Sequence, residues 1–454
     1  MLSLRALRAA ALAITLGLVP TVAHAESLRE ALASAYRNNP NILTALLSVK
    51  STAEGIALAK SGKLPTLSMS GSVGVGSTLA GGDWTNSASS SVGVDYSQTL
   101  FDNYKTDAEI EQARAGTEVA KYALRNAEAN VLLSVAQSYY QVIRDTQLVQ
   151  LRSDNMAFFD AQVTSADDRL RLGEGTKIEV SQAKARQAQA VASYRSAVAS
   201  LQTSQASYER WVGHKPSGLS GEFNFNGLVP ASIDAAIESA NVRHPALLSA
   251  RAGIRVAQAG SDAAAAAFGP TLGLVAGIEA TNSWDEAKGR SGSIGTSARL
   301  SLSIPIYAGG ALGASMRKAN IEQIKSEVDE LAARDEIREA VISSWSTLQN
   351  SSSMIESAQS TVESTQLVVD GTIQERDVGQ KTTLDVLDAQ AELISAQETL
   401  IEARATRMIA TFALISAAGR LSAEDLGLDV KVHSADGYIA SVEDVWAELR
   451  ALDE

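Results

Sequence analysis

A self-similarity at a fixed spacing constrains this chain more than any local pattern does. Leu172-Gly173 recurs as Val378-Gly379 at an offset of 206, and at that offset Tyr139 meets Trp345, Ala183 meets Ala389, and Trp211-Val212-Gly213 meets Ala417-Ala418-Gly419. Nearer the start the offset is 205, matching Asn39-Pro40 with His244-Pro245 and Pro65-Thr66-Leu67 with Pro270-Thr271-Leu272. A unit of roughly 200 residues written twice predicts one architecture made of two copies rather than several unrelated domains. The copies run over residues 26–214 and 230–420, with a linker at 215–229 and a tail at 421–454 that is expected to wrap against the helices.

Ahead of the first copy, Arg5 and Arg8 precede an apolar run from Ala9 to Val19, and Ala23-His24-Ala25 supplies the small residues a signal peptidase requires. Residues 1–25 read as a cleaved leader with Glu26 as the first mature residue; the apolar run is short of the ~20 residues an anchor needs. Beyond Ala25 no uninterrupted apolar stretch is long enough to cross a bilayer as a helix, so the exported chain is expected to be periplasmic, secreted or an outer-membrane barrel. Removing a leader with two arginines and no acid takes the formal charge from −13 to −15, which disfavours nucleic acid as a partner. The chain has no cysteine, excluding disulfides, thiol catalysis and a lipidated mature N-terminus.

Each copy opens with helical periodicity, in the first from Glu26 to about Ser61 with Pro40 interrupting it. The period then changes to two. Leu67, Met69, Val73 and Val75 alternate with Ser68, Ser70, Ser72 and Gly74, and after a turn near Gly81-Gly82-Asp83-Trp84 the residues Val92, Val94, Tyr96 and Leu100 alternate with Ser91, Gly93, Asp95 and Thr99. The second copy repeats this with Leu272, Leu274, Ala276 and Ile278, and with Ala298, Leu300, Leu302, Ile304 and Ile306. Two hairpins are predicted, at 66–100 and 271–306, each apolar on one face and small and polar on the other.

Each hairpin feeds a long run without Pro, 102–171 and 311–377, and a returning run, 177–213 and 383–419. At 1.5 Å per residue each outgoing helix would be about 100 Å long. The last run carries two apolar stripes, one through Leu384, Leu387, Ala391 and Ile394 and broken only by Glu398, the other through Val386, Ala389, Leu393 and Ala396. Two stripes call for two neighbours, which suits a closed cylinder of helices. Four strands cannot close a barrel in lipid, so the chain must oligomerise. Small residues on the polar faces favour an open interior and hence three copies. The expected fold is thus an α+β membrane protein: a trimeric, twelve-stranded transmembrane β-barrel, four strands per chain, continued by a long α-helical barrel.

The duplicated order of helix, hairpin, long helix, Gly break and helix resembles the TolC family of outer-membrane export channels over essentially the whole mature chain. The most specific stretch is Asp377-Val378-Gly379-Gln380-Lys381-Thr382-Thr383-Leu384-Asp385-Val386-Leu387-Asp388-Ala389; Leu172-Gly173-Glu174-Gly175-Thr176-Lys177 is a looser version, and Ile304-Pro305-Ile306-Tyr307-Ala308-Gly309-Gly310 is also similar to the family. The absent cysteine matches the non-lipidated branch. The resemblance implies a homotrimer in the outer-membrane lipid with a large periplasmic extension, acting as the passive exit duct of a tripartite exporter. It also implies a periplasmic membrane-fusion adaptor and an ATP-driven (ABC) or proton-driven inner-membrane transporter as partners, with no cofactor.

Asp385 and Asp388 lie three apart and so share a helix face. Two acids near a helix start are otherwise favourable surface groups, but the resemblance makes them the periplasmic gate, six carboxylates around one axis that favour cations. In the family, links between tip helices involve a basic residue, matched by Lys381, and a tyrosine, whose place Arg376 takes; Arg171 stands where the partner acid belongs, with Asp168 nearby. The tips at Gly173, Glu174, Gly175, Thr176, Lys177, Val378, Gly379 and Gln380 are expected to dock the adaptor, so a bulky residue at Gly173 or Gly379 would abolish export and spare the trimer. The plainer account of these glycines is that they turn the chain.

An enzyme is disfavoured. Outside the leader only His214, His244 and His433 occur, none spaced as a metal ligand set, and Gly173-Glu174-Gly175-Thr176-Lys177 lacks the spacing of a phosphate loop. The remaining rival is a periplasmic coiled-coil adaptor or scaffold, which would have no use for hairpins with a lipid-compatible face.

Overall fold

The computed structural model describes residues 25–225, 227–286 and 288–443. The expected leader before Ala25, and Val445, Trp446 and Leu449 of the tail, lie outside them. In chain order the first copy holds α1 (Leu28–Asn38), α2 (Pro40–Ser61), β1 (Thr66–Ala80), β2 (Asp83–Phe101), α3 (Lys105–Arg171) and α4 (Lys177–Val212); the second holds α5 (Ile233–Arg243), α6 (Pro245–Ala266), β3 (Thr271–Asp285), β4 (Gly289–Ser303), α7 (Ala311–Asp377) and α8 (Thr383–Ala417), followed by α9 (Asp436–Glu443). Pro40 and Pro245 each sit at the first turn of a helix, where the missing N–H costs nothing. The α3 and α7 helices are 67 residues each, about 100 Å at 1.5 Å per residue.

Among the described residues one four-stranded antiparallel sheet forms, in the order β1-β2-β3-β4. The register pairs Leu67 with Tyr96, Met69 with Val94, Val94 with Ile278 and Leu274 with Leu300. Directly opposed residues share a face, so all four apolar rows lie on one side. The other side is mostly Ser, Gly and Thr, interrupted by Val275 and by charged residues that include Asp95, Glu279 and Arg299. The strands outrun the alternation read from sequence. Gly81 and Gly82, at φ +69° and +103°, make a two-residue turn of the kind whose positive φ values match strand twist, and Trp84 already lies in β2 across from Leu79. The extra residues are mostly Ser, Thr, Asn and Gly, which carry no hydrophobic signal yet complete the ladder. In the other direction β4 stops at Ser303, short of the expected Ile304 and Ile306, because Pro305 has no N–H to donate. Trp84 and Trp284 mark one rim of the apolar face and Tyr96 the other. At ~3.3 Å per residue and a tilt of ~40° in a closed barrel, Trp84 to Tyr96 would span about 30 Å along its axis, close to the aromatic-girdled apolar band of an outer-membrane barrel.

The strand-to-helix junctions show how far the duplication holds. Gly309 and Gly310 precede α7 at φ +60° and +84°, and their counterparts before α3 are Asn103 and Tyr104, at +57° and +66°. Positive φ strains non-glycine residues; the Asn103 side chain offsets this by donating to the Ala266 carbonyl at 3.0 Å.

The α2, α3, α6 and α7 helices pack side by side in that order, and below them α3 with α4 and α7 with α8 form two coiled coils, joined through α3 and α8. The main core lies at the level of α1, where Leu28, Leu32, Tyr36, Leu132, Val135, Tyr139, Tyr208 and Phe412 are buried together with Leu421 and Leu426 of the tail. The described part of the tail, up to Glu443, packs against the helices: Lys121 pairs with Asp436, Arg114 with Glu443, and Val442 is buried. One sequence expectation needs correction. Among the described residues α2 is long and apolar enough to cross a membrane. It instead packs along α3, and Lys50 over the Tyr438 ring and the Glu54–Tyr438 hydrogen bond hold its middle against α9. Its exposed Leu43, Leu47 and Leu58 look away from the rest of the subunit.

Candidate functional site at the helix tips

Both coiled coils end in the same hydrogen-bonded turn. In the first, Gly173 at φ +81° donates to the Leu170 carbonyl at 3.1 Å and Glu174 to the Arg169 carbonyl at 2.9 Å. In the second, Gly379, also at +81°, donates to Arg376 at 2.9 Å and Gln380 to Glu375 at 2.8 Å. This pair of bonds satisfies the last carbonyls of a helix and requires a left-handed residue, hence glycine. Each returning helix then starts with a capping box. Thr176 with Glu179 opens α4, and Thr382 with Asp385 opens α8, two orphan helix N–H groups being satisfied reciprocally in each. A Cβ on Gly173 or Gly379 would meet nothing, whereas one on Gly175 would come within 3.1 Å of the Leu170 nitrogen and 3.2 Å of the Arg169 Cβ. Lys381 occupies the position equivalent to Gly175 and stands exposed.

Asp385 is therefore partly committed to the backbone. Its carboxylate accepts from Thr382 N at 2.8 Å and Thr382 Oγ1 at 2.7 Å, and these bonds, with Lys381 nearby, hold its pKa below the usual carboxylate range. It stays ionised at the tip. Asp388, half exposed, takes Arg186 of α4 at 2.6 Å. The two acids thus have separate partners, although the helix places them on adjacent turns of one side. Arg376 is nearly buried; it pairs with Asp377 at 2.7 Å and donates to Gln162 of α3 at 2.9 Å. Arg171 is held within its own helix by Asp167 at 2.9 Å and Asp168 at 3.1 Å.

Sequence reasoning missed the ties between the two coiled coils. Arg186–Asp388 and Arg376–Gln162 are two of them, and Arg152–Glu398 is a third. The last explains the break in the α8 stripe: Glu398 is an ion-paired residue between α3 and α8, and burial pushes its carboxyl above the usual range even beside Arg152. Between these ties lies a cavity of about 200 Å³ lined by Arg152, Asn155, Phe159, Arg186 and Glu398, large enough for water. Also missed were Leu172 and Ile178, which are 75 and 69% exposed; Val378, already among the expected tip residues, is 71% exposed. Leu172 and Val378 are duplicates of one position, an apolar residue just before the glycine turn, which is the signal that could have found Leu172. No group of His, Asp and Glu able to hold a metal occurs among the described residues.

A subunit with a one-sidedly apolar, aromatic-rimmed strand ribbon at one end and twin 100 Å coiled coils at the other is part of an outer-membrane channel. The outer membrane efflux protein family matches residues 31–214 and 236–420, both copies of the repeat. The outer membrane efflux protein BepC of Brucella suis is 34% identical over 433 residues, 94% of this chain and 93% of that one. The outer membrane protein TolC of Escherichia coli is 24% identical over 422 residues, 89% of this chain and 85% of the other. Among solved structures, the CmeC outer membrane channel of Campylobacter jejuni aligns at a TM-score of 0.75 with 15% identity, covering 92% of this chain and 89% of that one. The chain belongs to the outer membrane efflux protein family, a family of transport channels rather than of enzymes, and its place is the outer membrane. It is a channel protein, not the coiled-coil adaptor.

Proposed function

We propose that three copies close into one duct, the passive exit of a tripartite exporter, whose periplasmic end is gated at Asp385 and Asp388 and opened by an adaptor bound to an energised inner-membrane transporter. The observation that carries this reading is that both layers of the subunit end in unpartnered edges on matching sides. In the sheet, β1 and β4 are paired on one side only; in the helical layer α2 and α7 are outermost. The α2 edge exposes Leu43, Leu47 and Leu58, and the α7 edge exposes Ile321, Ile324, Val328 and Leu331, at 63, 60, 56 and 54%. Joining the α7 and β4 side of one copy to the α2 and β1 side of the next is a heterologous contact that closes only as a ring. Three copies give twelve strands. Two would give eight, whose interior must be filled by side chains, and the Ser, Gly and Thr of the polar face cannot fill it.

Light scattering of the detergent-purified protein is expected to give three chains per particle. Ile324→Glu with Val328→Glu should reduce it to single chains, since each buried aliphatic side chain contributes about 1.5–3 kcal/mol and two carboxylates would be desolvated in its place. A wild-type particle of one or two chains would sink the trimer.

The adaptor reading rests on the tips, where duplicated glycine turns expose an apolar residue each beside ionised groups. Because Leu172 and Val378 touch little of their own subunit, Leu172→Glu with Val378→Glu should leave the trimer and its thermal stability unchanged. Export, and adaptor recovery after crosslinking in cells, should fall about tenfold or more. Undiminished export would move the docking surface elsewhere.

A further inference from the structure

Glu26 is the least expected member of the main core. It is 8% exposed, and nearly every polar atom it has is engaged. Its carbonyl accepts from Tyr139 Oη at 2.8 Å and from Ser220 N at 3.1 Å, its nitrogen donates to the Ser217 carbonyl at 3.2 Å, and its Oε1 accepts from Tyr208 Oη at 2.7 Å. Tyr139 and Tyr208 are themselves fully buried. The exception is Oε2, buried and without a hydrogen-bond partner. Among the described residues the only side-chain cation beside this carboxylate is His214, whose Nε2 is 3.4 Å from Oε1 and which is charged only if protonated. A carboxylate withdrawn from water among neutral donors is costly and calls for a counter-charge.

We infer that the counter-charge is the chain's own mature α-ammonium, and that the pocket of Tyr139, Tyr208, Ser217 and Ser220 is a receptor for a processed N-terminal glutamate. The inference rests on the leader ending at Ala25. Hydrolysis of the Ala25–Glu26 bond breaks that C–N bond. Water gives its hydroxyl to the Ala25 carbonyl carbon and a proton to the Glu26 nitrogen, which takes a second proton from solvent at neutral pH. A neutral amide nitrogen, already anchored on the Ser217 carbonyl, becomes a unit positive charge on the same residue as the unpaired Oε2. The ammonium keeps one N–H for Ser217 and gains others for the carboxylate. Before cleavage the same pocket must take a carboxylate with only neutral donors and a half-exposed histidine. Closure of the core around Tyr139 and Tyr208 is thereby favoured after export rather than before it, linking removal of the leader to folding of the first copy.

The test crosses two N-termini with two residues. One chain begins at Glu26, and the other carries Gly-Ser-Gly between Ala25 and Glu26 so that the matured nitrogen is again an amide. Each is made with Glu26 and with Glu26→Met, methionine being chosen because an N-terminal glutamine cyclises and would lose the amine. Intact mass establishes where each mature chain starts. In the chain that begins at Glu26, Glu26→Met should lower the folding equilibrium about tenfold or more in urea titration. In the extended chain the same substitution should be neutral or stabilising, because it removes a buried charge that has no partner. The Tyr208 bond is lost in both and cancels in the cycle. Independently, acylation of the wild-type α-amine at pH 7 should be about tenfold slower folded than unfolded, as an ion-paired ammonium gives up its proton less readily. Equal losses from Glu26→Met in the two backgrounds, equal acylation rates, or a mature chain starting elsewhere than Glu26 would each overturn the inference.

Discussion

Trimers carrying Asp385→Ala and Asp388→Ala, reconstituted in planar bilayers, are expected to lose most of their cation preference, the cation-to-anion permeability ratio falling by about three- to tenfold. In the proposed trimer, three subunits would place six carboxylates around one axis near the tip. Each substitution removes one negative charge per subunit, and the two differ in what they leave behind. Asp385→Ala also deletes the capping box at Thr382, a loss of about 1 kcal/mol at the start of α8. Asp388→Ala frees Arg186, which adds unpaired positive charge at the entrance. The broken pair was partly exposed, so its contribution to holding α4 against α8 was at most about 1 kcal/mol. Neighbouring carboxylates ~6 Å apart in wet surroundings repel by less than ~1 kcal/mol per pair, so the proposed ring would filter ions without locking the duct. The control is Asp385→Asn with Asp388→Asn, which retains an acceptor for the Thr382 N–H and removes only charge. Both double variants should stay trimeric and lose selectivity alike. A pore whose selectivity is indifferent to both would keep the channel and move its constriction elsewhere.

The largest stability effect is expected from Gly419→Ala, set against Gly213→Ala at the duplicate position. Both glycines end a returning helix with positive φ, +97° at Gly213 and +70° at Gly419, so either alanine costs about 1 kcal/mol of backbone strain. The surroundings differ. A Cβ on Gly213 would meet nothing, while one on Gly419 would lie 2.7 Å from the His244 nitrogen and 2.8 Å from the Arg243 carbonyl carbon. These are backbone atoms at the junction of α5 and α6, where His244 is the half-buried N-cap of α6 and accepts from Ala246 N. They cannot rotate away. Overpacking against them adds about 1–3 kcal/mol, so Gly419→Ala should cost about 3 kcal/mol against about 1 for Gly213→Ala. Thermal scans of the purified trimer should then show a drop of about 5 °C for the first and about 2 °C or less for the second. Equal drops would mean that the two helix ends are packed alike, contrary to this geometry.

That pair of glycines also marks where sequence reading stops. Their equivalence is visible at the 206-residue offset, as is that of Gly173 and Gly379, because helix termination is decided within a turn of chain and leaves a local mark. The same holds for the capping threonines, for the prolines that open α2 and α6, and for the alternation that puts Leu67, Val94, Ile278 and Leu300 on one face. Local pattern was enough to establish a duplicated α+β chain with one-sided strands and paired long helices, and the resemblance of the Gly-break segments to the TolC family supplied the kind of channel it builds. What it could not supply were partners distant in sequence. Asp388 meets Arg186 and Arg376 meets Gln162, pairs separated by about two hundred residues that carry no periodic signal of their own. The strands ran past their alternation because ladder bonds need no apolar side chain, and the two glycine turns of one repeat position diverged in crowding because only one lies against the α5–α6 junction. Backbone preferences and side-chain period are properties of a few consecutive residues, and the sequence states them directly. Which charge meets which, which edges stay open and which glycine is crowded follow from how the helices and strands pack, and that the tertiary structure alone decided.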